Sequence, residues 1–160
     1  LLLEKIDMQF NERFRDLILD KEISASELGR ILNIKHATIC LYLHNTYPSV
    51  ANAIKIANFF NCSLNYLFGL DDFPDEIDFC KENIAPVFYE RYSNILQIKN
   101  ISHYQLAKDL ELGNNNLRNW KAGKIPNTQL LTRIAKYLNC SIDYLVGRSK
   151  EIRWQVSAKE

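Results

Sequence analysis

The nine residues NCSLNYLFG at Asn61–Gly69 return as NCSIDYLVG at Asn139–Gly147. The offset is 78 residues. Working outward from this pair, the same register holds without a gap from Phe10–Gly69 to Phe88–Gly147, with 17 identities in 60 positions. They include Ile23-Ser24 over Ile101-Ser102, Leu28 over Leu106, Leu32 over Leu110, Pro48 over Pro126 and Ile56-Ala57 over Ile134-Ala135. A match of this length means two copies of one fold unit. Positions where the copies differ are then the places to look for function.

Apolar residues recur at three- and four-residue steps in both copies, and strand-like alternation is absent, so the expected fold is all-α. Five helices are expected per copy. In the first copy they are Phe10–Lys21; Ala25–Leu32, opened by Ser24 with Glu27 three residues on; His36–His44; a helix started by Pro48 and Ser49 and ending near Phe60; and a short one between Ser63 and Gly69. In the second they are Phe88–Lys99, a helix opened by Ser102 with Gln105 at the capping-box position, Asn114–Ala122 stopped by Gly123, Thr128–Leu138 and Ile142–Leu145. The expected domain plan is residues 1–72, an acidic linker at 73–87, residues 88–147 and a tail at 148–160. Within the linker, Ile77 to Pro86 is expected to hold a turn of helix. The tail is expected to be a partial helix or an arm, with Trp154 as a packing anchor.

The net charge of +1 is unevenly spread. Residues 1–72 carry 7 Lys+Arg and 9 Asp+Glu (−2), residues 73–87 carry 1 and 4 (−3), and residues 88–160 carry 12 and 6 (+6). The second copy is a basic module, which points to a polyanion partner. Cys40, Cys62, Cys80 and Cys140 form no C-x-x-C pair, and Cys62 and Cys140, at the same place in the two copies beside apolar neighbours, read as small buried hydrophobes, in keeping with a reducing cytosol. Leu1-Leu2-Leu3 is followed at once by Glu4 and Asp7, so no signal-peptide core is expected, and no apolar run is long enough to span a membrane. His36, His44 and His103 read as scattered, outside metal-ligand spacing. No phosphate loop, nucleophile elbow or paired-carboxylate motif appears, so neither catalysis nor a metal, cofactor or small-molecule ligand is expected.

Two short helices joined by a three-residue turn describe a helix-turn-helix. In the second copy the residues Ile101-Ser102, Gln105-Leu106-Ala107, Leu110, Leu112, Leu117, Trp120, Gly123-Lys124, Pro126, Ile134-Ala135, Leu138, Asn139-Cys140-Ser141 and Asp143-Tyr144-Leu145 resemble the phage Cro/repressor-type, or XRE, family. The resemblance covers both copies. It implies two tandem five-helix lambda-repressor-like domains and binding of duplex DNA, with helix three in the major groove. It also implies a transcriptional regulator, a repressor of prokaryotic or phage type.

At 100° per residue, Leu117 and Trp120 of the second copy face inward. Asn115, Arg118 and Asn119 then face outward, with Asn114 at the exposed start. Asn and Arg are the residue types that pair bidentately with adenine and guanine, so these four are the candidate base contacts. Lys121 and Lys124, with His103, Gln105 and Asn116, are the candidate phosphate contacts. No acidic residue occurs from Gly113 to Lys124.

The first copy departs from the family here. Gly123-Lys124 becomes Asn45-Thr46, with Asn45 expected to take a left-handed cap. The outward positions are Ala37, Cys40 and Leu41, with Leu43 in place of Lys121. Three readings stand. The face reads thymine methyls, helped by Lys35, His36 and Thr38; or it is buried against a protein, whether another copy in a homodimer, the other repeat or the tail; or it is harmless drift. The second reading carries a rival function, an interaction module of antitoxin or adaptor type.

Overall fold

The computed structural model describes residues 2–74 and 87–154, which fall into two compact units, Leu1–Ile77 and Asp78–Glu160. The described residues are all-α. Unit 1 holds α1 (Leu2–Asp20), α2 (Ala25–Leu32), α3 (His36–His44), α4 (Val50–Phe60) and α5 (Leu64–Leu67). Unit 2 holds α6 (Val87–Lys99), α7 (His103–Asp109), α8 (Asn116–Lys121), α9 (Thr128–Leu138) and α10 (Ile142–Leu145). None of the described helices is long and apolar enough to cross a membrane. The expected helical turn within 77–86 lies outside the described residues.

The caps explain why the helices start and stop where they do. Ser24, Ser49 and Ser63 each accept a backbone N–H three residues on in unit 1, and Ser102, Asn127 and Ser141 do so in unit 2. Asn33, Asn61 and Asn139 close helices in the left-handed conformation, which Asn tolerates. Two helix starts differ most from expectation. Helix α1 begins at Leu2 rather than Phe10. Helix α8 begins at Asn116, two residues late, because Gly113-Asn114-Asn115 forms a turn closed by the Asn116 N–H on the Gly113 carbonyl at 3.4 Å. Gly and Asn are weak helix formers, and α3 has Lys35-His36-Ala37 in their place.

Each unit packs its helices around an aromatic centre. In unit 1 Phe10, Phe14 and Phe68 are fully buried, with Phe10 stacked on Phe68 at 5.4 Å and on Tyr47 at 5.5 Å. In unit 2 Phe88, Tyr92 and Trp120 occupy the places of Phe10, Phe14 and Tyr42, with Trp120 edge-on to both partners at 5.4 and 5.2 Å. Such pairs contribute about 0.5–1.5 kcal/mol each beyond the area they bury. Cys62 and Cys140, just after the fourth helices, are buried, as small hydrophobes should be. Burial pushes the Cys140 thiol up to about 12, which keeps it protonated.

After α10 the described residues 148–154 form no helix. Arg148 is buried and pairs with the buried Asp143 at 2.7 Å, and the Ser141 N–H donates to the Ile152 carbonyl at 3.0 Å. Residues 148–152 therefore fold back over the start of α10. Unit 1 uses Leu70 and Asn65 at the equivalent places and keeps the same backbone bond, Leu70 N to Asn65 O at 2.8 Å against Arg148 N to Asp143 O at 2.8 Å. Trp154 is 44% exposed and carries Lys99 Nζ 5.0 Å from its ring centre, so it is a surface stacking partner of a lysine rather than a packing anchor.

Candidate nucleic-acid interface

In unit 2, α7 and α8 are held in fixed relation by the turn between them. Glu111 adopts φ +53°, and the Leu112 N–H returns to the Ala107 carbonyl at 2.8 Å. Helix α8 ends at Lys121, and Gly123 beyond it takes a φ of +90°, which strains any residue with a Cβ. The Lys124 N–H then closes on the Asn119 carbonyl at 3.0 Å. Trp120, wedged among Phe88, Tyr92 and His103, sets the rotation of α8 about its axis.

That rotation exposes Asn114, Asn115, Arg118, Lys121 and Lys124. Asn114 and Asn115 stand in the turn before α8 rather than on it, with Asn115 as the residue preceding its first turn. Asn119 was expected to face outward but is half-buried, because it lies about 100° around the helix from Trp120. Leu117, expected inward, is also half-buried.

The candidate phosphate contacts divide. Lys121 and Lys124 are exposed, and Lys121 Nζ lies 6.0 Å from the Tyr89 ring centre. His103 turns inward. Its Nδ1 is 2.7 Å from the Tyr92 hydroxyl, and burial, then Lys121, lowers its pKa, which favours the neutral imidazole over the cation. Asn116 donates back to the Gly113 carbonyl at 3.1 Å. Gln105 leaves the capping box half-formed: Nε2 goes to Asp109 Oδ1 at 2.8 Å, and the Tyr137 hydroxyl reaches Asp109 Oδ2 at 2.5 Å. Both hydrogen bonds hold the exposed Asp109 carboxyl below its ordinary value.

Part of the +6 charge of the second copy is structural. Arg91 donates to the Tyr144 carbonyl at 2.8 Å and to the Ser149 carbonyl, Arg133 donates to the Leu110 carbonyl at 2.5 Å, and Arg148 pairs with Asp143. Repeat comparison signals one of these three, since Arg91 matches Arg13. The other two stand over Lys55 and Leu70.

In unit 1 the same turn geometry recurs, with Asn33 at φ +53° and Ile34 N to Gly29 O at 2.8 Å. Ile39 and Tyr42 are the buried residues of α3. Lys35, His36 and Ala37 are exposed, Leu41 is 52% exposed, and Thr38, Cys40 and Leu43 are half-buried. Asn45 is not a left-handed cap. Its φ is −150°, and its N–H and that of Thr46 both reach the Leu41 carbonyl, so the helix closes without a positive φ. His36 and Cys40 are adjacent, with Nε2 to Sγ at 3.4 Å. They stand four residues apart on one helix, a spacing visible in the sequence and passed over there. No group of three His, Cys, Asp or Glu that could hold a metal occurs among the described residues.

Among known proteins, no curated protein and no solved structure matches the chain. Residues 92–151 match the family model of the Cro/C1-type helix-turn-helix DNA-binding domain. The matched span runs from Tyr92 in α6, through α7, α8, α9 and α10, to the segment that carries Arg148. Residues 92–151 of this chain thus carry a helix-turn-helix DNA-binding domain of the Cro/C1 type.

Proposed function

We propose that the protein is a sequence-specific duplex-DNA-binding transcriptional regulator, acting as a repressor in the cytosol, and that unit 2 reads the major groove with α8 and the turn before it. The observation that carries this reading is the exposed, acid-free row Asn114, Asn115, Arg118, Lys121 and Lys124 on a helix-turn-helix. Asn114, Asn115 and Arg118 make base contacts, and Asn119 joins them from the flank of the helix. Lys121 and Lys124 neutralise phosphates, a sequence-independent contribution that falls with salt. His103, Gln105 and Asn116 add neutral hydrogen bonds at most, given the partners they already hold.

The test is selection of bound duplexes from a random pool with the full chain. A defined enriched site, lost on Arg118→Ala, supports the reading. Retention of DNA without an enriched sequence overturns sequence-specific reading, and no retention at low salt overturns DNA binding altogether.

Unit 1 favours a second role, through Leu41 at 52% exposure where unit 2 has Asn119. An apolar helix face serves a protein contact better than a phosphate-lined groove. In this reading unit 1 joins two chains, and each chain presents one α8 to a half-site of an inverted repeat.

A further inference from the structure

His36 and Cys40 occupy the places on α3 that Asn114 and Arg118 occupy in unit 2. Their ligating atoms are 3.4 Å apart. In a tetrahedral zinc site with Zn–S of about 2.3 Å and Zn–N of about 2.0–2.1 Å, two ligating atoms subtending about 109° lie about 3.5 Å apart. The pair is therefore set at the bite distance of a tetrahedral ion. In the metal-free chain the same contact serves as a weak thiol–imidazole hydrogen bond.

We infer that His36 and Cys40 form half of a zinc site, completed by the same pair from a second copy of this chain. Three observations lead to the second copy as the occupant. First, one chain supplies two ligands. His44 follows Cys40 by another four residues and is exposed, but it lies about 12 Å along the helix from His36, at 1.5 Å per residue, so His36 and His44 cannot meet on one ion. Second, charge balances. Zinc binding displaces the thiol proton to solvent, and two thiolates with two neutral imidazoles leave a Zn²⁺ site with no net charge. Third, a neutral ion site suits its surroundings. Ala37 and the half-exposed Leu41 lie beside the pair on α3, so joining two α3 faces buries apolar surface around the ion. Thiolate with imidazole is a ligand set that selects zinc over the hard cations calcium and magnesium. The inference does not depend on what unit 2 binds.

The test uses the full chain under a non-thiol reductant, with Co²⁺ as a spectroscopic stand-in for Zn²⁺. The expected result is a thiolate-to-cobalt absorption band that saturates at one metal per two chains. A shift from monomer to dimer by sedimentation should accompany it, and a chelator should reverse both. Cys40→Ser and His36→Ala should each weaken binding by more than about 100-fold, beyond the loss typical of an outer-shell partner. His44→Ala should leave stoichiometry and affinity unchanged, and added Zn²⁺ should displace Co²⁺, removing the band while the dimer persists. The inference is overturned by a thiolate band that survives Cys40→Ser, by saturation at one metal per chain with no dimer, or by no thiolate band at all.

Discussion

The two third helices stand on the same support and present opposite surfaces. In α3 and α8 the preceding turn is the same, with a positive φ at Asn33 and Glu111 and an identical 2.8 Å bond from Ile34 and from Leu112. Both are anchored by a buried aromatic residue, Tyr42 in one and Trp120 in the other. Outward, α8 and its approach carry Asn114, Asn115, Arg118 and Lys121, whereas α3 carries His36, Ala37, Cys40 and Leu43. The scaffold depends on a few buried positions and on backbone hydrogen bonds that any side chain permits. The exposed row is free to change, and here it differs at every one of those places.

The sharpest internal contrast is beneath the fifth helix, and breaking it has the largest expected effect. Unit 2 buries the Arg148–Asp143 ion pair where unit 1 has Leu70 and Asn65. Removing one member of a buried pair leaves an uncompensated charge, at a cost of about 3–5 kcal/mol. Asp143→Ala should therefore strongly destabilise unit 2. Both tryptophans, Trp120 and Trp154, lie in unit 2, so tryptophan fluorescence during urea unfolding follows that unit alone. The double change Asp143→Asn with Arg148→Leu copies unit 1 and should recover most of the loss. A double variant no better than Asp143→Ala would mean that the two corners are not interchangeable.

Gly29 and Ala107 sharpen the comparison at the turn. A Cβ on Gly29 would lie 2.6 Å from the Ile34 carbonyl oxygen, a backbone atom that cannot swing aside. Gly29→Ala should cost about 1–3 kcal/mol, as forced overpacking does. Its readout is the part of the circular-dichroism transition that tryptophan does not follow. Ala107→Gly should cost only about 0.5–1 kcal/mol from backbone entropy. A neutral Gly29→Ala would show that the turn of unit 1 opens as readily as that of unit 2.

On DNA, exchanging side chains on α8 should separate two kinds of contact. Asn115→Ala should relax preference at one base pair by about 1–3 kcal/mol. Lys124→Ala should weaken cognate and random DNA alike and lower the salt slope by about 1. Equal loss on both DNAs for Asn115→Ala would remove it from base reading. Leu41→Glu in unit 1 should leave intrinsic α8 contacts intact while lowering self-association, seen by sedimentation.

Helix identities were legible because capping serines and apolar spacing are local signals, and the repeat supplied Ser24 and Ser63 again as Ser102 and Ser141. The α8 boundary was not, since periodicity continues through Asn114 and Asn115 while their backbone forms a turn. The exposure of Arg118 and Lys121 could be read by counting around the helix from Trp120, but the same count put Asn119 outward, where it is half-buried. What stayed hidden needs distance across the chain: Arg133 on the Leu110 carbonyl, Arg148 on Asp143, and His103 turned onto Tyr92. A formal charge of +6 says nothing about which cations are already held. The His36–Cys40 pair was visible as a four-residue spacing on an expected helix, but the 3.4 Å approach of Nε2 to Sγ depends on side-chain rotamers that no local pattern gives.

The smallest expected effect comes from the surface joining α7 to α9. Unit 2 has Gln105, Asp109 and Tyr137 hydrogen-bonded there, and unit 1 has Glu27, Ile31 and Phe59. Tyr137→Phe moves unit 2 toward unit 1 by one oxygen atom. Asp109 is held below its ordinary value of 3.8 by Gln105 and then Tyr137, so the stability from this bond is present above 3.8 and fades as pH falls through the lower folded value. The Tyr137 hydroxyl is held above its ordinary 10.0 by the same bond, so the other edge lies at high pH, where stability is lost as pH rises through the raised value. The difference between wild type and Tyr137→Phe should be a plateau between those edges that narrows at both ends. Its height should be small, because Asp109 is exposed and solvent screens the bond. Tryptophan-detected unfolding midpoints across pH measure it. A difference of constant size at every pH would assign the effect to ring packing rather than to the hydrogen bond. The Ile31–Phe59 surface of unit 1 would then be its closer counterpart.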